Sequence, residues 1–292
     1  MKNHRSLSIL VTLVFALLLL SACGSREPAA APTPTLEPTP TEEPMAAHVN
    51  GAGILLAEYQ AELQRYQAAL QAEGAAFDQA AASKEVIGEL VNQTLLAQAA
   101  ASQNYTVDDA ALQARIDELA GEVGGVEALN AWLAQNFYTD ASFRLALKRE
   151  MAAVWMRNQI IGSIPSTAEQ VHARQILLDS QSEADSVLRQ LQAGTPFDTL
   201  AYQYDTLTGG ELGWFPRGYL LQPDVENAAF SLEAGAYSGV ISTPNGYHIV
   251  EVIEKDAQHA LSPDALLFLQ RQALESWLET QRAQASIEIT IP

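Results

Sequence analysis

The chain has 292 residues, of which 16 are lysine or arginine and 35 are aspartate or glutamate, so its net charge is −19. This excess of acid excludes a nucleic-acid-binding protein, which needs a basic surface to neutralise phosphates. A single cysteine excludes an intrachain disulfide. The five histidines show no HExxH-type spacing, so no metal and no cofactor are expected.

The N-terminus has the pattern of a secretory signal. Lys2 and Arg5 precede an apolar run, residues 9–20, which is too short to span a bilayer but suits a signal-peptide core. The run leads into Leu-Ser-Ala-Cys, which resembles the lipobox of bacterial lipoproteins and implies cleavage before Cys23 and lipidation of its thiol. An ordinary secretory signal with a chance cysteine is the alternative. Removal of residues 1–22 takes away two bases and no acids, so the net charge becomes −21. We therefore expect an extracytoplasmic protein anchored to the bacterial membrane.

Residues 23–47 are predicted to be a linker, and residues 48–165 a mostly helical domain. The linker alternates proline with threonine, alanine and glutamate, which favours polyproline II at roughly 3.1 Å per residue. In HVNGAGILL, a short strand and a glycine turn lead into the first helix, and further helices are predicted from about Ser83 and from the Thr106 capping pattern. The aromatic residues of these helices are interpreted as core packing, with a groove for polypeptide clients as the alternative.

After Pro165 the pattern becomes that of a compact α+β domain, residues 167–256. Between its second and third helices lies a predicted loop, GGELGWFPRG at 209–218, whose glycines disfavour a helix and whose apolar residues do not alternate. The loop either plugs the core with its rings or forms the wall of a pocket for an apolar ligand. The other predicted elements are a strand at 171–178, helices capped by Ser182 and Thr195, a helix at 223–230 and a hairpin turning at 244–246.

The last segment, residues 257–292, is predicted to contain a helix that starts at Ser262 and a short strand, SIEITIP. A chain that leaves a helical region, builds a small domain and returns to helix suggests one domain inserted into another. We therefore expect the C-terminal helix to pack on residues 48–165, and residues 287–291 to pair near residues 48–54.

Five blocks of the α+β domain resemble, in order and spacing, the parvulin family of peptidyl-prolyl cis-trans isomerases. They are VHARQIL, GTPFDTLAYQY, GGELGWFPRG, NAAFSLEAGAYSGV and NGYHIVEV. The lipobox, the helical N-terminal region and the C-terminal helix extend the resemblance to PrsA-type foldase lipoproteins and SurA-type chaperones. It implies an α+β fold in which a mostly helical SurA-N-like domain, completed by a C-terminal helix and strand, carries an inserted parvulin domain.

The resemblance also implies a pocket for the substrate's proline ring. Because this segment is one residue longer than in better-known members of the family, Leu221 is an alternative to Leu220 as a pocket residue. Trp214 and Phe215 are expected to brace the loop. The four implied substrate-binding residues are Leu212, Leu220, Val225 and Phe230.

In the polar part of the implied site, this chain departs from the family pattern. His248 matches the second of two family histidines and Thr243 matches a hydroxyl near it, but Gln175 stands where the first histidine is expected. A glutamine can donate and accept hydrogen bonds without titrating, so it can keep a network with His248. Asp205 is the best match to a family acid near the substrate amide. The alternatives are a hydrogen-bonded core residue for His248 and an ordinary loop acid for Asp205.

Three functions compete. The first is a membrane-anchored foldase that isomerises X–Pro bonds and chaperones exported polypeptides. The second is a chaperone or interaction lipoprotein whose parvulin domain binds peptides but is weakly catalytic or inactive. The third, a solute-binding lipoprotein, needs two α/β lobes that residues 55–161 do not supply. Phosphorylated substrates are not expected, because LLDSQSEADSV after the first strand of the parvulin domain has three acids and no base.

Overall fold

The computed structural model describes residues 43–291, so Cys23, the predicted signal peptide and most of the predicted linker lie outside the described residues. The chain divides into two compact units. Among the described residues, one unit comprises residues 43–158 and 277–291, and the other comprises residues 159–276. None of the helices between residues 43 and 291 is long and apolar enough to cross a membrane.

The first unit is mostly helical and contains a small antiparallel sheet. Its elements are β1 (Met45–Val49), β2 (Ala52–Leu55), α1 (Leu56–Ala72), α2 (Gln79–Ser102), α3 (Asp109–Val123), α4 (Val126–Gln135), most of α5 (Asp140–Gly162), the end of α9 (Pro263–Gln284) and β7 (Ile287–Ile289). Strand β1 is the central strand, with β2 on one side and the C-terminal β7 on the other. The fold of this unit therefore needs residues from both ends of the described chain.

The C-terminal segment is tied to β1 and α2 by several contacts. Val49 pairs with Ile287 across the sheet, and Ile287 packs on the apolar cluster that contains Val49. The Asn50 N–H donates to the Ser286 carbonyl at 2.8 Å. Arg282, near the end of α9, donates to the Gly88 carbonyl of α2 at 2.7 Å. Residues 277–291 thus belong to the helical unit both by strand pairing and by packing.

Several elements of this unit begin at different residues than the sequence patterns predict. Helix α2 begins after Asp78 and α3 after Asp108, whose carboxylates accept hydrogen bonds from backbone N–H groups of the first turn. The sequence patterns predict helix starts at Ser83 and at Thr106, but the side-chain caps that accept these backbone hydrogen bonds are Asp78 and Asp108. Strand β1 begins at Met45, ahead of the predicted domain start at residue 48. Two strands, rather than one, precede α1 because the glycine turn closes a hairpin.

The second unit is a four-stranded antiparallel sheet with helices on both faces. Its elements are β3 (Thr167–Leu178), α6 (Gln181–Gln192), α7 (Phe197–Tyr204), β4 (Glu211–Pro216), α8 (Pro223–Ser231), β5 (Ile241–Thr243) and β6 (Gly246–Ala260), flanked by the end of α5 and the first part of α9. The strand order is β4-β3-β6-β5. Because side chains alternate along β6, Ile249 packs in the cluster under α6 and α7, whereas Val250 packs in the cluster under α8.

The prediction that residues 209–218 form a loop is wrong for residues 211–216, which form strand β4. This segment pairs with β3, so its backbone groups find partners on a strand that is distant in sequence. The glycines at 209, 210 and 213 have positive φ angles, and the register of the pair shifts between Ala173 and Arg174. These irregularities remove the alternation that normally marks a strand. Similarly, α6 is capped by Ser180 rather than Ser182, and α7 follows Pro196 rather than a Thr195 cap.

The predicted fold class is confirmed. The chain is α+β, with a mostly helical unit that is completed by C-terminal residues and a compact α+β unit inserted into it.

Candidate active site

Gly209 and Gly210 bring the chain close to β3 just before β4 begins. Their φ angles are +64° and +71°, in the region that favours glycine. A Cβ atom on Gly210 would lie 1.8 Å from the carbonyl oxygen of Gln175, so no larger residue fits there. The Gln175 N–H donates to the Gly210 carbonyl at 2.8 Å. The glycine pair thus places the start of β4 directly against Gln175.

The four predicted substrate-binding residues pack in one apolar cluster between α8 and the sheet. Val225 and Phe230 are buried on α8, while Leu212 on β4 and Leu220 in the following loop are half-buried against them. The two candidate leucines differ in burial: Leu220 packs on this cluster, whereas residue Leu221 is 94% exposed. Only Leu220 is therefore placed to line an apolar pocket.

Trp214 and Phe215 face opposite sides of β4. Phe215 is fully buried and makes an edge-to-face contact with Phe230, with ring centroids 5.9 Å apart. Trp214 stacks between the rings of His172 and His259, at centroid distances of 5.4 and 3.9 Å. Both aromatic residues fix β4 by packing, in agreement with a bracing role.

His248 joins Gln175 and Thr243 in one hydrogen-bonded network. Its imidazole is buried, with Nδ1 2.8 Å from Gln175 Oε1 and Nε2 2.9 Å from Thr243 Oγ1. Thr243 Oγ1 also accepts from the Asn245 N–H at 3.2 Å. Strands β3, β5 and β6 each supply one of the three side chains, so the network depends on the pairing of these strands.

Burial determines the charge of His248, and its hydrogen-bond partners determine which ring nitrogen carries the proton. Burial lowers the pKa of His248 below its ordinary value of 6.5, which favours the neutral imidazole near neutral pH. Since Gln175 Oε1 can only accept, Nδ1 carries the proton and donates it to the amide oxygen. Nε2 is then an acceptor for the Thr243 hydroxyl at 2.9 Å, a shorter contact than the 3.3 Å from the same hydroxyl to the Gly246 carbonyl. The network holds a neutral ring in one tautomer and one orientation.

Asp205 uses its carboxylate to organise its own loop. Oδ1 accepts from the N–H groups of Leu207 and Thr208 at 3.0 and 3.1 Å, and Oδ2 accepts from the Thr208 hydroxyl and from the Gly210 N–H. The Thr208 side chain, followed by these backbone donors, lowers the pKa of Asp205 to about 2. Asp205 is connected to the His248 network through Gly210, whose N–H donates to Asp205 and whose carbonyl accepts from the Gln175 N–H.

Two charged residues that the sequence analysis missed hold the pocket helix α8. The Glu226 side chain is buried and accepts hydrogen bonds from the loop before α8. At the other end, Lys255 Nζ donates to the carbonyls of Phe230 and Leu232 at 2.8 and 2.6 Å. The available signals were an acid in the first turn of a helix beginning with Pro223 and a single lysine between two acids, Glu254 and Asp256, in the last strand.

The sheet order, the apolar cluster under α8 and the buried His248 network define a parvulin-type peptidyl-prolyl isomerase domain. Residues 160–256 match the family described as the PPIC-type PPIase domain, and residues 1–157 match the SurA-like N-terminal domain. The chain belongs to the family of peptidyl-prolyl isomerases that carry a SurA-like N-terminal domain.

Foldase proteins named PrsA are similar in sequence to this chain over most of its length. The chain is 28% identical to the foldase protein PrsA of Oceanobacillus iheyensis, over 70% of this chain and 73% of that protein. It is 26% identical to the foldase protein PrsA of Caldanaerobacter subterraneus, over 85% of this chain and 82% of that protein. A crystal structure of the peptidylprolyl isomerase PrsA from Bacillus cereus aligns with 82% of this chain and 90% of its own, at 18% identity and a TM-score of 0.46.

Proposed function

We propose that the protein is a membrane-anchored, extracytoplasmic foldase that isomerises X–Pro bonds in unfolded, exported polypeptides and chaperones them. The observation that carries the proposal is the apolar cluster of Leu212, Leu220, Val225 and Phe230 in the same domain as the neutral His248 network. The similarity to PrsA foldases over most of the chain supports it.

The proposed chemistry requires no nucleophile, because no covalent bond breaks. Rotation about an X–Pro bond meets a barrier of about 18–20 kcal/mol, since the partial double-bond character of the amide is lost in the twisted state. The planar amide is more polar than the twisted amide, so moving it out of water favours rotation. An apolar pocket that holds the proline ring also fixes one side of the bond while the other turns. Each 1.36 kcal/mol removed from the barrier gives a tenfold rate increase.

In this proposal His248, Thr243 and Gln175 act by shaping the site rather than by transferring protons. The imidazole is buried, neutral and held at both nitrogens, which gives a rigid polar group on the same sheet as the apolar cluster. Because Gln175 does not titrate, His248 is the only titrating member of this triad near neutral pH. Asp205 contributes by holding the loop that leads to Gly210.

A binding-only function is the second candidate, and two observations favour it. Gln175 replaces a histidine that the family resemblance implies, and the Asp205 carboxylate is occupied by four donors of its own loop. A domain with this polar arrangement can hold an X–Pro segment in the apolar cluster without accelerating rotation. The two functions share substrates but differ in turnover.

The substrates are proposed to be unphosphorylated. The segment after β3 leads into α6, whose first turn carries Glu183, and residues 177–187 contain no lysine or arginine. A phosphate there meets negative rather than positive charge. Bulky apolar side chains around an X–Pro bond, in contrast, suit the cluster under α8.

The membrane anchor is proposed from the signal-like N-terminus and its lipobox-like Leu-Ser-Ala-Cys, which ends at Cys23 and lies outside the described residues. A diacylglyceryl group attached to this thiol supplies the two chains that stable membrane attachment needs. Replacing Cys23 by serine is expected to move the protein from the membrane fraction to the soluble fraction, while Ser25→Ala, close by in the linker, leaves it membrane-bound. Membrane retention of the Cys23→Ser variant at wild-type levels would contradict the anchor.

Isomerisation of an unphosphorylated X–Pro peptide tests the catalytic proposal. The wild-type chain should accelerate it, and Leu212→Ala should reduce kcat/KM because the ring loses an apolar contact. Thr243→Val removes the hydroxyl donor to His248, and Ser242→Ala, an exposed hydroxyl on the same strand, is its matched control. If the wild-type chain prevents aggregation of an unfolded client without accelerating isomerisation, the binding-only function is correct.

A further inference from the structure

The Glu226 carboxylate is buried beneath the loop that connects β4 to α8. Only 7% of the residue is exposed. Oε1 accepts from the Gly218 N–H at 2.7 Å, and Oε2 accepts from the Leu220 N–H at 3.0 Å. Glu226 lies in the first turn of α8, where the helix dipole favours a negative charge. Each carboxylate oxygen therefore has its own backbone donor in the loop.

The two bonds determine the path of the loop. Gly218 has a φ of +82°, so the chain turns sharply there, and Tyr219 next to it packs edge-to-face on Phe268 of α9. The second bond then fixes the backbone at Leu220, whose side chain packs on the apolar cluster, whereas Leu221 remains 94% exposed. A shift of one residue along this loop would exchange the two leucines.

Helix α8, which carries Glu226, is fixed in position by its own contacts. Val225 and Phe230 are buried on it, and the Lys255 ammonium holds its C-terminal carbonyls. The Arg217 Cζ atom lies 4.0 Å from the centroid of the Phe230 ring, so the loop also contacts α8 through a cation–π interaction. Glu226 thus links the loop to the element that carries half of the proposed pocket.

We infer that Glu226 is a positioning residue that selects Leu220, rather than Leu221, as the wall of the proline pocket. The inference rests on the proposed proline pocket and adds a determinant of its shape. Two acceptor oxygens are needed, because both facing groups are N–H donors. In Glu226→Gln only one oxygen remains, so the amide nitrogen faces either Gly218 or Leu220 and that bond is lost.

A double-mutant cycle between Glu226 and Leu220 tests the inference in the full chain. The variants are Glu226→Gln, Leu220→Ala and their combination, assayed by kcat/KM for an unphosphorylated X–Pro peptide. Leu221→Ala in both backgrounds is the comparison, and Asp224→Asn removes an exposed charge from the same helix turn. Asp224→Asn removes a negative charge near the N-terminus of α8 without breaking the two bonds from Glu226 to the loop, so it shows the effect of the charge alone.

We expect Leu220→Ala to reduce kcat/KM less in the Glu226→Gln background than in the wild type, by at least about twofold. The effect of Leu221→Ala should be equal in both backgrounds, and Asp224→Asn should keep wild-type activity. Equal effects of Leu220→Ala in both backgrounds would overturn the inference, because a general loss of stability leaves the two changes additive.

Amide NMR separates failure of this inference from failure of the proposed function. In Glu226→Gln, at least one of the Gly218 and Leu220 amide protons should shift upfield and exchange faster with solvent, even if the chain has no isomerase activity. Unchanged resonances for both amides would overturn the positioning role. Shifted resonances together with an inactive wild type would support the positioning role and refute catalysis.

Discussion

Replacing Gln175 by glutamate should raise the pKa of His248 and give the isomerase a pH dependence that the wild type lacks. In the wild type, Nδ1 lies 2.8 Å from an uncharged amide oxygen, and burial lowers the imidazole pKa. A carboxylate in the same position stabilises the imidazolium form. Opposite charges this close raise a histidine pKa by about 1–3 units, which corresponds to about 1.4–4 kcal/mol.

The titration of His248 can be followed by ¹⁵N NMR of the imidazole, alongside isomerisation of an unphosphorylated X–Pro peptide between about pH 5 and 9. The wild-type rate should vary little above the ordinary histidine pKa of 6.5, because the ring is already neutral there. The Gln175→Glu rate should show a step at the raised pKa. In this variant the ring is charged at pH values where the wild-type ring is neutral.

Gln175→Leu is the uncharged control. It leaves the Nδ1–H without its acceptor, which costs about 1–3 kcal/mol of folding free energy for a buried donor, but it adds no charge. Its His248 pKa should therefore not rise. If His248 titrates at the wild-type midpoint in Gln175→Glu, Nδ1 does not face the side chain at position 175 and the network described above is wrong.

Three further predictions concern stability. His248 and Asp205 both have a lower pKa in the folded chain than in the unfolded chain, where the values are 6.5 for His248 and 3.8 for Asp205. The contribution of each group to folding stability is therefore complete above its unfolded pKa. It is lost as the pH falls through its folded pKa. Urea unfolding should accordingly show a loss of stability between pH 7 and 5 that is smaller in His248→Gln, and an equal loss in both proteins would argue against the lowered histidine pKa. Gly210→Ala should destabilise the fold more than Gly213→Ala. Both glycines have φ near +70°, but only at Gly210 would an added Cβ meet the Gln175 carbonyl. Equal midpoints of thermal unfolding for the two variants would contradict this close approach. Deleting residues 277–292 should lower the stability of the helical unit by about 1–3 kcal/mol, since β1 loses a strand partner and half-buried Ile287 contributes part of the roughly 1.5–3 kcal/mol that a fully buried isoleucine provides. An unchanged denaturation midpoint for that unit would show that β7 is dispensable.

The choice between Leu220 and Leu221 illustrates the limit of sequence analysis at the pocket. Two adjacent leucines have the same chemistry, and the extra residue in this segment left both as alternatives. Their exposure differs because buried Glu226 fixes the backbone of the loop, and this contact joins residues on either side of a turn. Asp205 shows the same limit, because whether a carboxylate faces solvent, substrate or its own backbone depends on the path of the loop.

The sequence by itself determined the division into a helical part and an α+β part and the approximate positions of the helices. These features are local: apolar periodicity, caps, glycine and proline positions and short motifs all act within a few residues. Only the tertiary structure decided that residues 211–216 form a strand and that Leu220 rather than Leu221 packs on the apolar cluster. The inserted-domain pattern already predicts that residues 287–291 pair near residues 48–54, and the family resemblance already implies a network of Gln175 with His248. Strand pairing and burial depend on partners tens to hundreds of residues away, and a local pattern contains no information about which partner will be adjacent.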